Sequence, residues 1–166
     1  MEHLSDYRKH IPLRWIYCSF LVAIFVDLIP TAQTGSIQLM PDIMAMLILY
    51  WSINRPHQFS IGSAFVLGLI SDIATGSPLG QHALAYTITT YIVMNQQRYI
   101  ILYHYGIQSI VALGTLMGNQ VIMSLIRLIF DNKYSGWGSF LPPIIGALLW
   151  PLLNKIMITL YRPRKN

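Results

Sequence analysis

The sequence predicts an all-α integral membrane protein, and composition and patterning both support that class. Only 10% of its 166 residues are charged, whereas 54% are hydrophobic; an ordinary soluble domain is about 25% charged. The apolar residues are gathered in six stretches, most of them near the roughly 17–25 residues that a helix needs to cross a bilayer. The composition therefore excludes a small soluble domain and a disordered chain.

The six stretches predict six transmembrane helices in a single domain that occupies residues 1–166. The expected spans are 13–29, 37–53, 59–74, 79–94, 106–129 and 140–160. The first stretch ends at Pro30, and the second opens at Pro41 and closes at Tyr50 and Trp51. The third and fourth would each be only about 24 Å long as helices. For these two, a re-entrant hairpin is the alternative to two full crossings.

The fifth and sixth stretches complete the predicted bundle. Residues 96–105 are polar and rich in tyrosine, which is typical of the membrane interface, so the fifth span is expected to begin after them. The sixth stretch runs to residue 160, where a short basic tail begins.

The distribution of basic residues predicts the orientation of the helices. With six spans, nine of the eleven basic residues share one side: Arg8, Lys9, Arg14, Arg55, Arg98, Lys155, Arg162, Arg164 and Lys165. Only Arg127 and Lys133 fall on the other side. Because Lys and Arg accumulate on the cytoplasmic side, both termini are predicted to be cytoplasmic. A five-span topology would place one basic terminus outside.

Acidic residues inside apolar stretches are the first candidate functional side chains, because a carboxylate at mid-membrane costs about 2.5–3.5 kcal/mol. Asp72 and Gly68 are four residues apart and share a helical face, and Gly76 and Gly80 follow in a turn. These residues predict a polar pocket or partner surface. The alternative is a structural role, in which Asp72 accepts hydrogen bonds from amides near Gly76 and Ser77.

Two further acids are expected at the same membrane face. Asp42 follows Pro41 at the start of the second stretch, where an Asp caps a helix and complements its dipole. Asp27 lies near the end of the first stretch. Pairing of Arg127 with one of these acids is an open alternative to ordinary interfacial placement.

Polar and small residues in the fourth and fifth stretches predict helix packing. Tyr86, Thr89 and Thr90 are interpreted as interhelical hydrogen-bonding groups. Gly114 and Gly118 form a GxxxG pattern, which permits close helix approach, and Asn119 follows on an adjacent polar stripe. This region is expected to pack within the chain or to contact another subunit.

No catalytic residue, metal site or cofactor is predicted. The chain lacks a P-loop, an HExxH sequence and a Ser/His/Asp arrangement, so we do not expect an enzyme. One cysteine, Cys18, and five scattered histidines do not form a metal-binding pattern. The net charge of +5 comes mostly from the two ends of the chain, which membrane topology explains better than nucleic-acid binding does.

Three segments together resemble the MreD family of rod shape-determining proteins, in its gammaproteobacterial form. They are residues 40–51, the Arg55-Pro-His57 turn, and the pattern Gly62-x5-Gly68-x3-Asp72-Ile-x-Thr-Gly76-Ser-x-Leu-Gly80. The resemblance covers nearly the whole chain and is most specific between Pro41 and Tyr91. The family-like positions that it marks are Pro41, Asp42, Gly68, Asp72, Gly76 and Gly80.

The resemblance implies a non-enzymatic component of the cell-elongation machinery in the bacterial inner membrane. Such a protein would support rod shape and peptidoglycan synthesis in contact with MreC and, indirectly, with MreB, RodA and the penicillin-binding transpeptidase that partners RodA. The resemblance also implies a fold similar to the substrate-binding subunits of energy-coupling vitamin transporters. A substrate-binding subunit of a small-molecule transporter is therefore the alternative function.

Overall fold

Six α-helices and one short 3-10 helix form the part of the chain that the computed structural model describes, residues 13–28, 40–103, 105–132 and 136–160. The helices are α1 (Leu13–Asp27), α2 (Ile43–Asn54), α3 (Ile61–Thr75), α4 (Gln81–Ile100), α5 (Tyr105–Asp131), the 3-10 helix Trp137–Phe140, and α6 (Leu141–Leu160). Each helix falls on one of the six predicted stretches, and no strand occurs in these ranges. The all-α class is confirmed.

Helix α2 forms the centre of the bundle. Every residue from Met44 to Ile53 is buried, and α2 packs against α1, α4, α5 and α6. With 12 residues it is only about 18 Å long. A helix that is apolar on every face must be surrounded by other helices or by lipid, and α2 is surrounded by other helices.

The helices differ in their suitability for crossing a membrane. Two segments of the described chain, Gly106–Phe130 and Trp137–Leu160, are long and apolar enough to span a bilayer. Helices α2 and α3 are apolar but shorter. Two candidate spans are therefore present in the structure, and six crossings stay a prediction.

Helix α4 extends further than its apolar stretch predicts. Gln96, Gln97 and Arg98 are polar, yet they continue the helix to Ile100 because Gln and Arg are good helix formers. The side-chain amide of Gln108 then donates to the carbonyl oxygens of Ile100 and Tyr103, at 3.4 and 3.0 Å. The predicted interfacial segment is thus partly the last turn of α4.

The alternating helices separate two ends of the bundle. Asp27, Asp42, Asp72 and Arg127 lie at the end that contains the N-termini of α2, α4 and α6, here called the acidic end. Arg14, Arg55, Arg98 and Lys155 lie towards the opposite, basic end. Other residues of the orientation argument and of the predicted spans lie outside the described ranges: Arg8, Lys9, Lys133, Arg162, Arg164, Lys165, residue 29 and residues 37–39.

Candidate functional site

Two carboxylates from different helices bind the N-terminus of α2. Asp42 is the N-cap, and its Oδ1 accepts a hydrogen bond from the Ala45 amide at 2.8 Å. Asp27, at the end of α1, accepts from the amides of Ile43 and Met44 at 3.3 and 3.2 Å. The first amides of a helix lack partners within the helix, and its dipole favours negative charge there. The predicted cap at Asp42 is confirmed, and Asp27 joins α1 to the same helix end.

Tyr86 connects this pair of caps to α4. Its hydroxyl donates to Oδ2 of Asp42 at 2.7 Å, and the side chain is almost fully buried. The interhelical role predicted for Tyr86 is therefore confirmed. The role predicted for Thr89 is wrong, because its hydroxyl donates to carbonyl oxygens of its own helix, those of Ala85 and Tyr86. The hydroxyl of Thr90 is buried without a hydrogen-bond partner among the described residues.

Asp72 joins α3 to the start of α4. Its carboxylate is fully buried and accepts from the backbone amides of Gly80 and His82, each at 2.8 Å. The Nδ1 atom of His82 lies 2.8 Å from the same carboxylate. The structural role expected for Asp72 is therefore present, but its donors are Gly80 and His82. Ser77 contacts only the main-chain oxygen of Asp72, at 3.0 Å.

Three glycines make this joint possible. Gly76 and Gly80 have φ angles of +65° and +96°, in the left-handed region that favours glycine, and they turn the chain between α3 and α4. Gly68 is buried against α4, where an added Cβ would lie 2.4 Å from Cα of Ala83. The backbones of α3 and α4 therefore approach closely at Gly68.

A polar cavity of about 130 Å³ lies beside these groups at the acidic end. Asp27, Asp42, Ser71, His82, Tyr86 and Arg127 contribute its polar lining, and Pro41 is part of its wall. Arg127 does not pair with a described carboxylate; its Nε donates to Oε1 of Gln81 at 3.0 Å. The cavity therefore presents both charge signs, although Asp27 and Asp42 are already engaged by helix amides. No group of three potential metal ligands occurs in the described ranges.

The two glycines of the GxxxG pattern on α5 face no neighbouring helix of the described chain. A Cβ added at Gly114 or Gly118 would meet no described atom within 4 Å, and Gly114 is exposed. Asn119 lies on another face, where it is buried beside Ser52 and Thr90. The two glycines thus form an open helix face, whereas Asn119 belongs to the interior.

Sequence reasoning missed Gln81, which is fully buried and receives the hydrogen bond from Arg127. A polar Gln81-His82 pair directly after a turn glycine signals a helix N-terminus with side chains near an acid. The pairing of Arg127 with Gln81 cannot be predicted from the local sequence, because the two residues are 46 positions apart.

Comparisons with known proteins agree on one family. Residues 7–160 match the family model described as rod shape-determining protein MreD. The chain is 29% identical over 157 residues to the "Rod shape-determining protein MreD" of Haemophilus influenzae, an alignment that covers 92% of this chain and 95% of that protein. No solved structure matches the chain. The expected fold similarity to vitamin-transporter subunits therefore has no support.

Proposed function

The chain belongs to the MreD family of rod shape-determining proteins, and we propose that it is a non-enzymatic membrane scaffold of the cell-elongation complex. The family is one of membrane proteins with a role in rod shape, which agrees with the apolar helices of this chain. In this proposal the chain crosses the bacterial inner membrane several times. It supports peptidoglycan synthesis by holding other proteins of the complex together within the membrane.

The proposed direct partner is the transmembrane helix of MreC. Through MreC the chain would be connected to MreB, and RodA and its penicillin-binding transpeptidase would join the same assembly. The described part of the chain consists of helices and short connections, so contacts with these partners must be made mainly by helix faces.

The observation that carries this proposal is the open face at Gly114 and Gly118. The two glycines are one helical turn apart on α5. A Cβ added at either position would have no described atom of another helix within 4 Å. Because lipid tails are as apolar as leucine side chains, burial of apolar area does not drive helix association in a bilayer. Small residues favour helix association in a bilayer, since they allow two backbones to approach closely. An unoccupied GxxxG face is therefore suited to a partner helix.

Co-purification of MreC with full-length variants tests this interface. In a rod-shaped host depleted of its own MreD protein, Gly118→Leu should reduce the recovery of MreC and should round the cells. Gly106→Leu is the matched control, because Gly106 is an exposed glycine of the same helix whose Cβ position is also open. Equal protein abundance in the membrane must be verified for both variants.

A second surface on the side of the bundle is the competing site for the partner helix. An apolar groove of about 500 Å³ lies between α1 and α6, with Met46 and Leu47 of α2 among its lining residues. Val22→Trp, at an exposed position in this groove, should leave MreC recovery unchanged. Loss of MreC with Val22→Trp and not with Gly118→Leu would assign the partner helix to the groove. Retained MreC and normal rods in both variants would contradict a helix-mediated scaffold.

A further inference from the structure

The polar cavity at the acidic end contains hydrogen-bonding groups that the scaffold proposal does not use. Side chains of α1, α3, α4, α5 and α6 line it, together with the N-cap of α2. Its volume is about 130 Å³. Because an apolar cavity of about 150 Å³ holds one benzene molecule, this cavity has room for one small polar group rather than for a large ligand.

Two carboxylates on the cavity wall keep acceptor capacity. Each of the four oxygens of Asp27 and Asp42 accepts one hydrogen bond, three from amides of α2 and one from the hydroxyl of Tyr86. A carboxylate oxygen has two lone pairs, so each of them can accept a second donor. No basic side chain of the described ranges forms an ion pair with either carboxylate. A cationic donor in the cavity would therefore satisfy both.

His82 adds a third acceptor, and Asp72 fixes its orientation. The Nδ1 atom of His82 lies 2.8 Å from Oδ1 of Asp72. Because a carboxylate only accepts, Nδ1 of the neutral imidazole carries the proton, and Nε2 on the other side of the ring is an acceptor. His82 is 9% exposed and lines the cavity, and no group of the described ranges donates to its Nε2. A ligand that donates to this nitrogen would gain a hydrogen bond in a largely desolvated site.

Arg127 supplies a positive charge to the same cavity. Its Nε donates to Oε1 of Gln81 at 3.0 Å, and Gln81 is fully buried, so the guanidinium is held in place by a neutral partner. The contact with Gln81 does not cancel the charge. A guanidinium binds carboxylate and phosphate oxygens through paired, charge-assisted hydrogen bonds. The wall of the cavity is therefore suited to an anionic group at Arg127.

The two charge signs together restrict the class of ligand. A metal ion is not favoured, because Asp27, Asp42 and His82 do not form a group of three metal ligands in the described ranges. A simple cation would leave the charge of Arg127 unpaired, and a simple anion would face two carboxylates. A ligand that carries both charges a few bonds apart pairs with both sides of the wall.

We propose that this cavity binds a compact zwitterionic group, in which a short carbon link joins a primary ammonium to a phosphate or a carboxylate. The ammonium donates to Asp27, Asp42 and His82, and the anionic end contacts Arg127. Two sources carry this chemistry, the ethanolamine phosphate headgroup of a phospholipid and a soluble α-amino acid. Apolar lining residues such as Ile24 contact the carbon link in either case.

Paired ligands that differ only in their N–H donors test this site on the full chain. Native mass spectrometry compares the retention of phosphatidylethanolamine and phosphatidylcholine. Thermal unfolding in detergent compares stabilisation by glycine and by its trimethylated form, betaine. The formal charges within each pair are equal, but only the first member can donate to the three acceptors. That member should bind about tenfold more tightly in at least one pair. Absence of any preference in both pairs would overturn the proposal.

Variants separate the two ends of the bound group. Arg127→Gln should weaken binding of both members of the preferred pair by about tenfold, because their anionic ends are the same, and Arg127→Lys should restore part of it. Asp27→Asn should instead reduce the preference for the primary ammonium. A purely structural loss at Asp27 would weaken both members equally and would contradict its contact with the ammonium.

Arg98→Gln is the matched control for Arg127→Gln. Arg98 lies towards the opposite end of the bundle and does not line the cavity. Equal effects of the two substitutions would mean that general surface charge attracts the ligand, which would overturn the proposal. The thermal midpoint of each variant verifies that folded protein is compared. Arg127→Gln keeps the test decisive if Asp27→Asn does not fold, because Arg127 is only partly buried and caps no helix.

Competition distinguishes the two sources of the zwitterion. Protein that retains phosphatidylethanolamine is mixed with excess glycine, and separately with excess inorganic phosphate. Retention of the lipid in glycine supports a lipid headgroup as the occupant, whereas displacement by glycine supports a soluble amino acid. Displacement by inorganic phosphate at the same concentration would overturn the proposal, because phosphate has no ammonium to contact the carboxylates.

Discussion

Gly68 of α3 meets the backbone of α4 at Ala83, and the contact leaves no room for a side chain. A Cβ on Gly68 would lie 2.4 Å from Cα of Ala83 and 2.5 Å from its nitrogen. One helical turn further along α3, the carboxylate of Asp72 accepts the amides of Gly80 and His82. The close approach at Gly68 therefore brings the start of α4 within hydrogen-bonding distance of Asp72.

Replacement of Gly68 by alanine should destabilise the protein. The new methyl group would overlap backbone atoms, which cannot rotate away as a side chain can, so α3 and α4 must separate. Overpacking of this kind costs about 1–3 kcal/mol or more, and thermal unfolding in detergent should show a lower midpoint and a lower yield.

Gly62→Ala is the control for that measurement. Gly62 is exposed on the same helix, and its added Cβ would meet only the Ser60 hydroxyl oxygen, at 3.7 Å. Alanine is favoured over glycine in a helix by about 1 kcal/mol, so this variant should be neutral or slightly stabilised. Equal midpoints for Gly68→Ala and Gly62→Ala would contradict the close packing of α3 on α4.

Asp72→Ala should reduce the amount of folded protein in the membrane. The substitution leaves the amides of Gly80 and His82 and the His82 ring without their shared acceptor. Each buried donor that loses its acceptor costs about 1–3 kcal/mol. Quantitative immunoblotting of membranes measures the accumulation, and cell shape is scored in the same strain.

The two readouts separate the structural role of Asp72 from a direct role in partner binding. Low abundance with rounded cells, partly corrected by overexpression, agrees with the joint between α3 and α4. Normal abundance with rounded cells would assign the carboxylate to a partner or ligand. Rod-shaped cells at normal abundance would show that Asp72 is dispensable. His82→Ala, which removes the ring donor but keeps both backbone amides, should have a smaller effect.

Local features of the sequence predict part of this site. An Asp after a proline and before an apolar run predicts the cap at Asp42, because capping involves only neighbouring amides. The shared face of Gly68 and Asp72 follows from helix periodicity. The apolar character of residues 43–53 on nearly all faces also favours a central position for α2.

Other parts of the site depend on contacts that periodicity does not encode. Tyr86 and Asp42 are 44 residues apart, and their pairing requires α4 to pack beside α2. The donors to Asp72 depend on how Gly76 and Gly80 turn the chain. The GxxxG pattern indicates that a close approach is possible, but it does not say which helix approaches. No helix of the described part of the chain approaches Gly114 or Gly118.

Tyr86→Phe should weaken the contact between α4 and the N-terminus of α2. The substitution keeps the buried ring but removes the hydrogen bond to Asp42, and hydrogen bonds to charged groups contribute about 1.5–3 kcal/mol. A lower thermal midpoint in detergent is the expected result. Tyr91→Phe is the control, because Tyr91 belongs to the same helix and is 56% exposed.

A double-mutant cycle with Asp42→Asn tests whether the loss comes from this pair. If Tyr86 acts through Asp42, the two substitutions together should cost less than the sum of their separate effects. Additive effects would contradict a direct interaction. The loss of stability in Tyr86→Phe would then come from other contacts of the Tyr86 side chain.

Cysteine labelling tests the predicted orientation of the bundle. In a Cys18→Ser background, Trp137→Cys places a thiol at the acidic end and Leu102→Cys places one at the basic end; the two native side chains are 82% and 79% exposed. Because basic residues are retained in the cytoplasm, a membrane-impermeant maleimide added to spheroplasts should label only the cysteine at position 137. Permeabilised cells should show labelling at both positions, which controls for reactivity. Labelling of position 102 alone would reverse the predicted orientation.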